Sequence, residues 1–229
     1  MLLKFCKLTL LIAATILLSS CADEETVPNE VFEAKIFDTP LGSGSAGPAA
    51  AGESYSFTFT AQPGQKLTFA TMYITSNDLF LSRIEAGIDL YKDEEPVEGE
   101  IINRIILVDA GTEENQVIGA GADQADRQGS PNTGARDPNT LVRLYGGNDA
   151  EEIEDLVRVT ITHDSGTFTL KISVLSSSTS PISPGVFAVF TGENPIFKLG
   201  ETDRGNGLEA LAEDGVASEL VAHLVSLIK

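Results

Sequence analysis

Residues 157–175 read VRVTITHDSGTFTLKISVL, and no other stretch constrains the fold as much. Val157, Val159 and Ile161 alternate with polar residues, and so do Phe168, Leu170, Ile172 and Val174. A period of two places all these apolar side chains on one face of an extended chain, which a helical period of 3.6 cannot do. HDSG supplies the turn, so the segment reads as a β-hairpin with one face toward a core. The same alternation marks Ser54 to Thr60, with Tyr55, Phe57 and Phe59 in phase, and Lys66 to Thr75. Shorter strand candidates are Val31 to Phe37, Leu79 to Leu81, Ile88 to Tyr91, Ile101 to Val108, Leu141 to Tyr145 and Val186 to Thr191. Many short strands with close turn signals predict an all-β antiparallel sandwich or barrel. Helical spacing occurs at Leu220, Leu224 and Leu227, predicting a short C-terminal helix.

The N-terminus has another character. Lys4 and Lys7 precede the apolar run LTLLIAATILL, too short for a comfortable membrane span, as in an export signal. Leu18-Ser19-Ser20-Cys21 then forms a bacterial lipobox, which predicts cleavage before Cys21 and a diacylglyceryl group on its sulfur. The expected organisation is a signal peptide over 1–20, a lipidated acidic tether over 21–30 and one β domain over 31–229. Such acyl chains anchor a protein to a membrane without making it span one. Ala22, rather than an aspartate, follows the cysteine, and Asp23, Glu24 and Glu25 resemble the acidic tract of surface-exposed lipoproteins of Bacteroidetes. An outer-membrane lipoprotein is expected, with an outward orientation open to it.

Residue inventory narrows the chemistry. Cys6 leaves with the leader and Cys21 is consumed by lipid, so neither a disulfide nor a catalytic thiol is expected in the mature chain. Two of the 15 Lys and Arg also leave, so 13 face 34 acids, a formal charge of −21. That charge repels nucleic acid and anionic headgroups and suits a protein that binds cations. His163 and His223 are too few for a histidine zinc cluster. Asp164 to Thr167 spells the DSGT string of aspartic proteases, but in one copy at a hairpin turn. No G-x-S-x-G elbow is present, and GSGSAG is a flexible linker rather than a phosphate loop. A hydrolase working through paired carboxylates and a glycan-binding module remain as alternatives, the latter with no Trp and four Tyr to build platforms.

Between strands lies VDAGTEENQVIGAGADQADRQGSPNTG, from Val108 to Gly134, polar, acidic and rich in glycine. Length and composition alone favour disorder. Its start, DAGTEE, can bring Asp109 and Glu113 onto one hard cation through a tight turn, although the spacing is not that of an EF-hand. A solvated acidic loop is the competing reading.

Several segments, taken in order, resemble the spondin N-terminal domain family, chiefly its bacterial members. They are ITSNDLFLS (Ile74 to Ser82), DAGTEEN (Asp109 to Asn115), ADQADRQGSPNTGARDPNTLVRL (Ala122 to Leu144), SPGVFAVFTGENPIFKLG (Ser183 to Gly200) and DRGNGLEALAEDG (Asp203 to Gly215). The resemblance implies an eight-stranded antiparallel β-sandwich that binds one calcium ion at loops on one edge and acts in adhesion without catalysis. It implies metal ligands at Asp78, Asp109 and Glu113, the last a glutamate where the animal pattern has aspartate. Leu79 stands where that pattern has tryptophan, and its disulfides have no counterpart. Asp126, Arg127, Asn132, Arg136 and Asp137 lie in the part closest to the bacterial members. Two readings stay open for them: a surface recognition loop, or a loop packed by its own Asp/Arg pairs and turns. The expected partners are the membrane, through the lipid, and an unidentified extracellular protein or glycan.

Overall fold

The computed structural model describes residues 27–84 and 86–229. The leader and Cys21 lie outside the described residues.

The chain folds as an antiparallel β-sandwich with three short helices. Its strands are β1 (Glu30–Phe37), β2 (Ser54–Thr60), β3 (Lys66–Tyr73), β4 (Leu79–Arg83), β5 (Ile88–Asp89), β6 (Tyr91–Lys92), β7 (Glu95–Pro96), β8 (Gly99–Glu100), β9 (Ile105–Asp109), β10 (Arg143–Leu144), β11 (Val157–Asp164), β12 (Thr167–Val174) and β13 (Ile182–Thr191). The helices are α1 (Ile153–Leu156), α2 (Leu208–Asp214) and α3 (Ser218–Ser226). One sheet runs β1-β13-β3-β4-β9-β10, with β5 also on β3, and the other runs β2-β12-β11-β8. Eight strands, β1 to β4, β9 and β11 to β13, are five residues or longer; the rest are two-residue pairings at their margins.

The hairpin of residues 157–175 forms as its alternation predicts. Val157 pairs with Val174 and Asp164 with Thr167, leaving Ser165-Gly166 as a two-residue turn. Both turn residues have positive φ, 49° and 85°, the geometry whose twist matches the flanking strands. Burial alternates along β11 because only one of its faces is covered. β3 is different: from Leu67 to Tyr73 every residue is buried. Its inner face joins the sandwich core, where Phe57 stacks between Phe37 and Phe187 at 4.9 and 4.4 Å. Helix α2, over β3 and β4, and helix α3, over β1 and β13, cover the outer face of this sheet, their Leu208, Leu211, Leu220 and Leu224 sharing a core with Ala70, Phe80 and Val186. The molecule is therefore layered as helices, sheet, sheet.

Several elements differ from the sequence expectation. Ile101 to Val108 is broken by a 3-10 turn at Ile102–Arg104, so β9 starts only at Ile105. Ile88 to Tyr91 divides between β5 on the large sheet and β6 in a separate β6–β7 ribbon. α2 carries apolar residues at Leu208, Leu211 and Ala212, a helical pattern too short to stand out from periodicity alone.

Candidate metal centre

Strand register builds the centre. β4 and β9 are antiparallel with Leu79 opposite Asp109, and the Ala110 N–H donates to the Asp78 carbonyl at 3.1 Å. Asp78 and Asp109, 31 residues apart in sequence, thus sit side by side at one end of the large sheet. β10 then sets Arg143 directly opposite Asp109 on the other side of β9. Asp109 and Arg143 form a cross-strand acid–base pair, with Leu79 on the other side of Asp109 and Asp78 one residue before Leu79.

Local turns fix each carboxylate. The turn entering β4 is tied by Ser76, whose hydroxyl donates to the Tyr73 carbonyl at 2.6 Å and accepts from the Leu79 N–H at 3.1 Å. Asp109 Oδ1 accepts from the Gly111 N–H at 2.8 Å, an Asx-turn that reverses the chain after β9. Gly111 has φ +70°, and a Cβ there would lie 2.7 Å from the Leu141 carbonyl oxygen, so both conformation and space demand glycine. The reversed chain points the N–H groups of Thr112 and Glu113 at Asp78 Oδ2, at 2.9 and 3.2 Å, with the Thr112 hydroxyl at 3.3 Å.

Asp78 is fully buried, and its other oxygen, Oδ1, has no hydrogen-bond partner. Burial and then the Asp109 charge push its carboxyl up to about 7 against the pull of the Thr112 and Glu113 amides. Asp109, 2% exposed, is also raised, chiefly by burial, although Oδ2 accepts from Asn115 Nδ2 at 2.6 Å and Arg143 Nη2 at 2.5 Å. Glu113 contributes differently. Its backbone serves Asp78, while its carboxylate accepts from Asn77 Nδ2 at 3.2 Å and the Gly134 N–H at 2.8 Å. Burial raises it as well.

Asp137 and Arg143, which sequence reasoning did not join to this centre, complete it. Arg143 Nη2 bridges Asp109 Oδ2 and Asp137 Oδ2, both at 2.5 Å, and its Nη1 donates to the carbonyls of Asn139 and Leu141 at 2.6 and 3.2 Å. Their signal was the string RDPNTLVR itself, an acid and a base six residues apart around a turn, but nothing local tied it to Asp109.

The long loop is folded onto this end of the sheet. The N–H groups of Glu114 and Asp137 donate to the carbonyls of Ala135 and Thr112, Gln116 Nε2 donates to Asp123 at 2.7 Å, and Arg127 Nη1 donates to Gln124 Oε1 at 3.0 Å. Gln128 Nε2 reaches Asp214 of α2 at 2.6 Å. With its amide nitrogen turned toward α2, Asn132 donates to Glu209 at 3.2 Å and Glu213 at 2.6 Å. A cavity of about 510 Å³ lies between loop and helix, lined by Glu113, Asn132, Arg136, Asp203, Glu209 and Glu213. Glu213 is 2% exposed, and burial, with the nearby charges of Glu113, Glu209 and Asp78, pushes its carboxyl up to about 8.

Among the described residues no three His, Cys, Asp or Glu side chains converge as a ready-made metal cluster. The fit of a hard cation rests instead on two carboxylates and the orphaned Asp78 Oδ1. Uncompensated buried negative charge is costly, and a cation beside that oxygen would relieve it. Carbonyl oxygens and water would supply the remaining ligands.

No family model, curated protein or solved structure matches the chain. Among the described residues no helix is long and apolar enough to cross a membrane.

Proposed function

We propose that the chain is a lipid-anchored protein of the bacterial cell envelope whose spondin-like sandwich binds one calcium ion at the β4–β9 end and serves as an adhesion or interaction module. The observation that carries this reading is the buried, unpartnered Asp78 Oδ1 beside the carboxylate of Asp109. Asp78 and Asp109 supply the carboxylate oxygens. Glu113 joins them by giving up its bonds to Asn77 and Gly134, or acts through its amide on Asp78 alone. The ion would neutralise charge that burial has made expensive and pin the turn before β4 to the turn after β9. No chemical step is assigned to the centre; its role is to hold loops in one shape for a protein or glycan partner outside the cell.

Cys21 and its lipobox support the anchor, and the acidic residues after it support an outer-membrane location. Calcium titration of the mature domain by calorimetry tests the core of the proposal. Heat of binding at one site and a rise in melting temperature with millimolar calcium are expected. Neither signal appearing would overturn it. Incorporation of a fatty-acid label into wild type but not into Cys21→Ser tests the anchor separately.

A further inference from the structure

We propose that Arg143 sets the charge of the cation centre and thereby its preference for a divalent ion; this rests on the calcium reading above. Four buried carboxylates lie at this end of the sheet, Asp78, Asp109, Glu113 and Asp137, without three of them converging on one point. One guanidinium nitrogen touches two of them at 2.5 Å, and the Arg143 charge is felt at Asp78 as well. The bonds from Asn77 and Gly134 leave the charge of Glu113 in place, so the ionised set carries four negative charges and one positive, a net of −3.

Arg143 is not a surface residue that happens to pair. Nη1 donates to the carbonyls of Asn139 and Leu141 and Nη2 to Asp109 and Asp137, so the guanidinium is held at both terminal nitrogens. A fixed positive charge a few ångströms from a bound ion repels that ion in proportion to the ion's own charge. It therefore penalises a trivalent ion more than a divalent one. Without it the net charge is −4, which favours the more highly charged ion. Asp137 acts with the opposite sign, since its removal leaves −2.

The test measures dissociation constants of the mature protein for calcium and for terbium, a trivalent ion of similar size, in wild type, Arg143→Gln and Asp137→Asn. Arg143→Gln is expected to raise the preference for terbium over calcium by on the order of tenfold, and Asp137→Asn to lower it by a similar factor. A residue that only braced the loop would weaken both ions together and leave the ratio unchanged. An unchanged ratio in both variants, with wild type binding calcium, overturns the role of Arg143 and leaves the calcium reading standing. Wild type binding neither ion overturns both. Should Arg143→Gln fail to fold, the direction of the Asp137→Asn ratio decides.

Discussion

Replacing Asp78 with asparagine should stabilise the calcium-free protein, contrary to the usual effect of altering a fully buried polar residue. Asparagine keeps an oxygen for the Thr112 and Glu113 amides and puts an NH2 group where Oδ1 now has no partner. It also removes a buried charge. The carboxyl titrates near 7 in the fold against an ordinary value of 3.8. Between those values the folded protein holds a proton that the unfolded chain has released. Wild-type stability from this group is therefore greatest at the acid end of the window and is lost as pH rises through it. At 1.36 kcal/mol per pKa unit the full loss is roughly 4 kcal/mol, reached slightly above pH 7. Urea denaturation in a chelator at pH 5 and pH 8 measures it. Asp78→Asn should exceed wild type by roughly 4 kcal/mol at pH 8 and by less than half of that at pH 5. On the calcium reading the ion should narrow this gap, since wild type would gain stability from it and the variant would not; for the same reason wild-type calcium affinity should fall as pH drops below about 7. A variant less stable than wild type at pH 8 in chelator would refute the reasoning, because the buried charge would then carry no net penalty.

Other perturbations follow the same physics. Gly111→Ala forces an L side chain into positive φ against a backbone carbonyl, so a loss of at least about 2 kcal/mol is expected by denaturation, with weaker calcium binding by calorimetry. Glu213→Gln should flatten the pH dependence of the urea midpoint. The wild-type carboxyl, near 8 against an ordinary 4.5, favours the fold at acid pH and disfavours it as pH rises through that interval; a variant with the wild-type slope would show that Glu213 ionises freely. Phe187→Ala, which opens the ring stack between the sheets, should cost about 3–5 kcal/mol without altering the calcium-to-terbium ratio.

The long loop shows where composition misleads. Val108 to Gly134 has few apolar residues to bury, yet the segment is fastened by polar bonds. Gly134 donates to Glu113, Gln128 to Asp214, and Asn132 to Glu209 and Glu213. Of the two readings open for Asp126, Arg127, Asn132, Arg136 and Asp137, the packed loop describes Asn132 and Asp137. Arg127 donates to Gln124 within the loop and meets the Asp126 charge at 3.8 Å, and Arg136 lines the cavity. Polar fastening of this kind has no periodicity, so a linear reading has nothing to detect.

The sequence by itself determined most of the longer strands and, for β2, β11 and β12, the face they bury. Alternation in residues 157–175 and in Ser54 to Thr60 records one covered face. Lys66 to Thr75 reads as alternating too, yet the helices over the large sheet leave β3 buried on both faces. The sequence also contained the chemistry of the turns, Ser165-Gly166 and Asp109 to Gly111 among them. Tertiary structure alone decided which turns meet. Pairing Leu79 with Asp109 and Arg143 with Asp109 is a matter of register between strands about thirty residues apart, set by packing of the whole sheet. From that register come the neighbouring carboxylates, the arginine between two of them and the bare oxygen of Asp78. A family resemblance could name Asp78, Asp109 and Glu113. Only the fold turns the Glu113 carboxylate toward Asn77 and Gly134 and brings in Asp137 and Arg143, because distance in space is a property of the folded chain and not of its order.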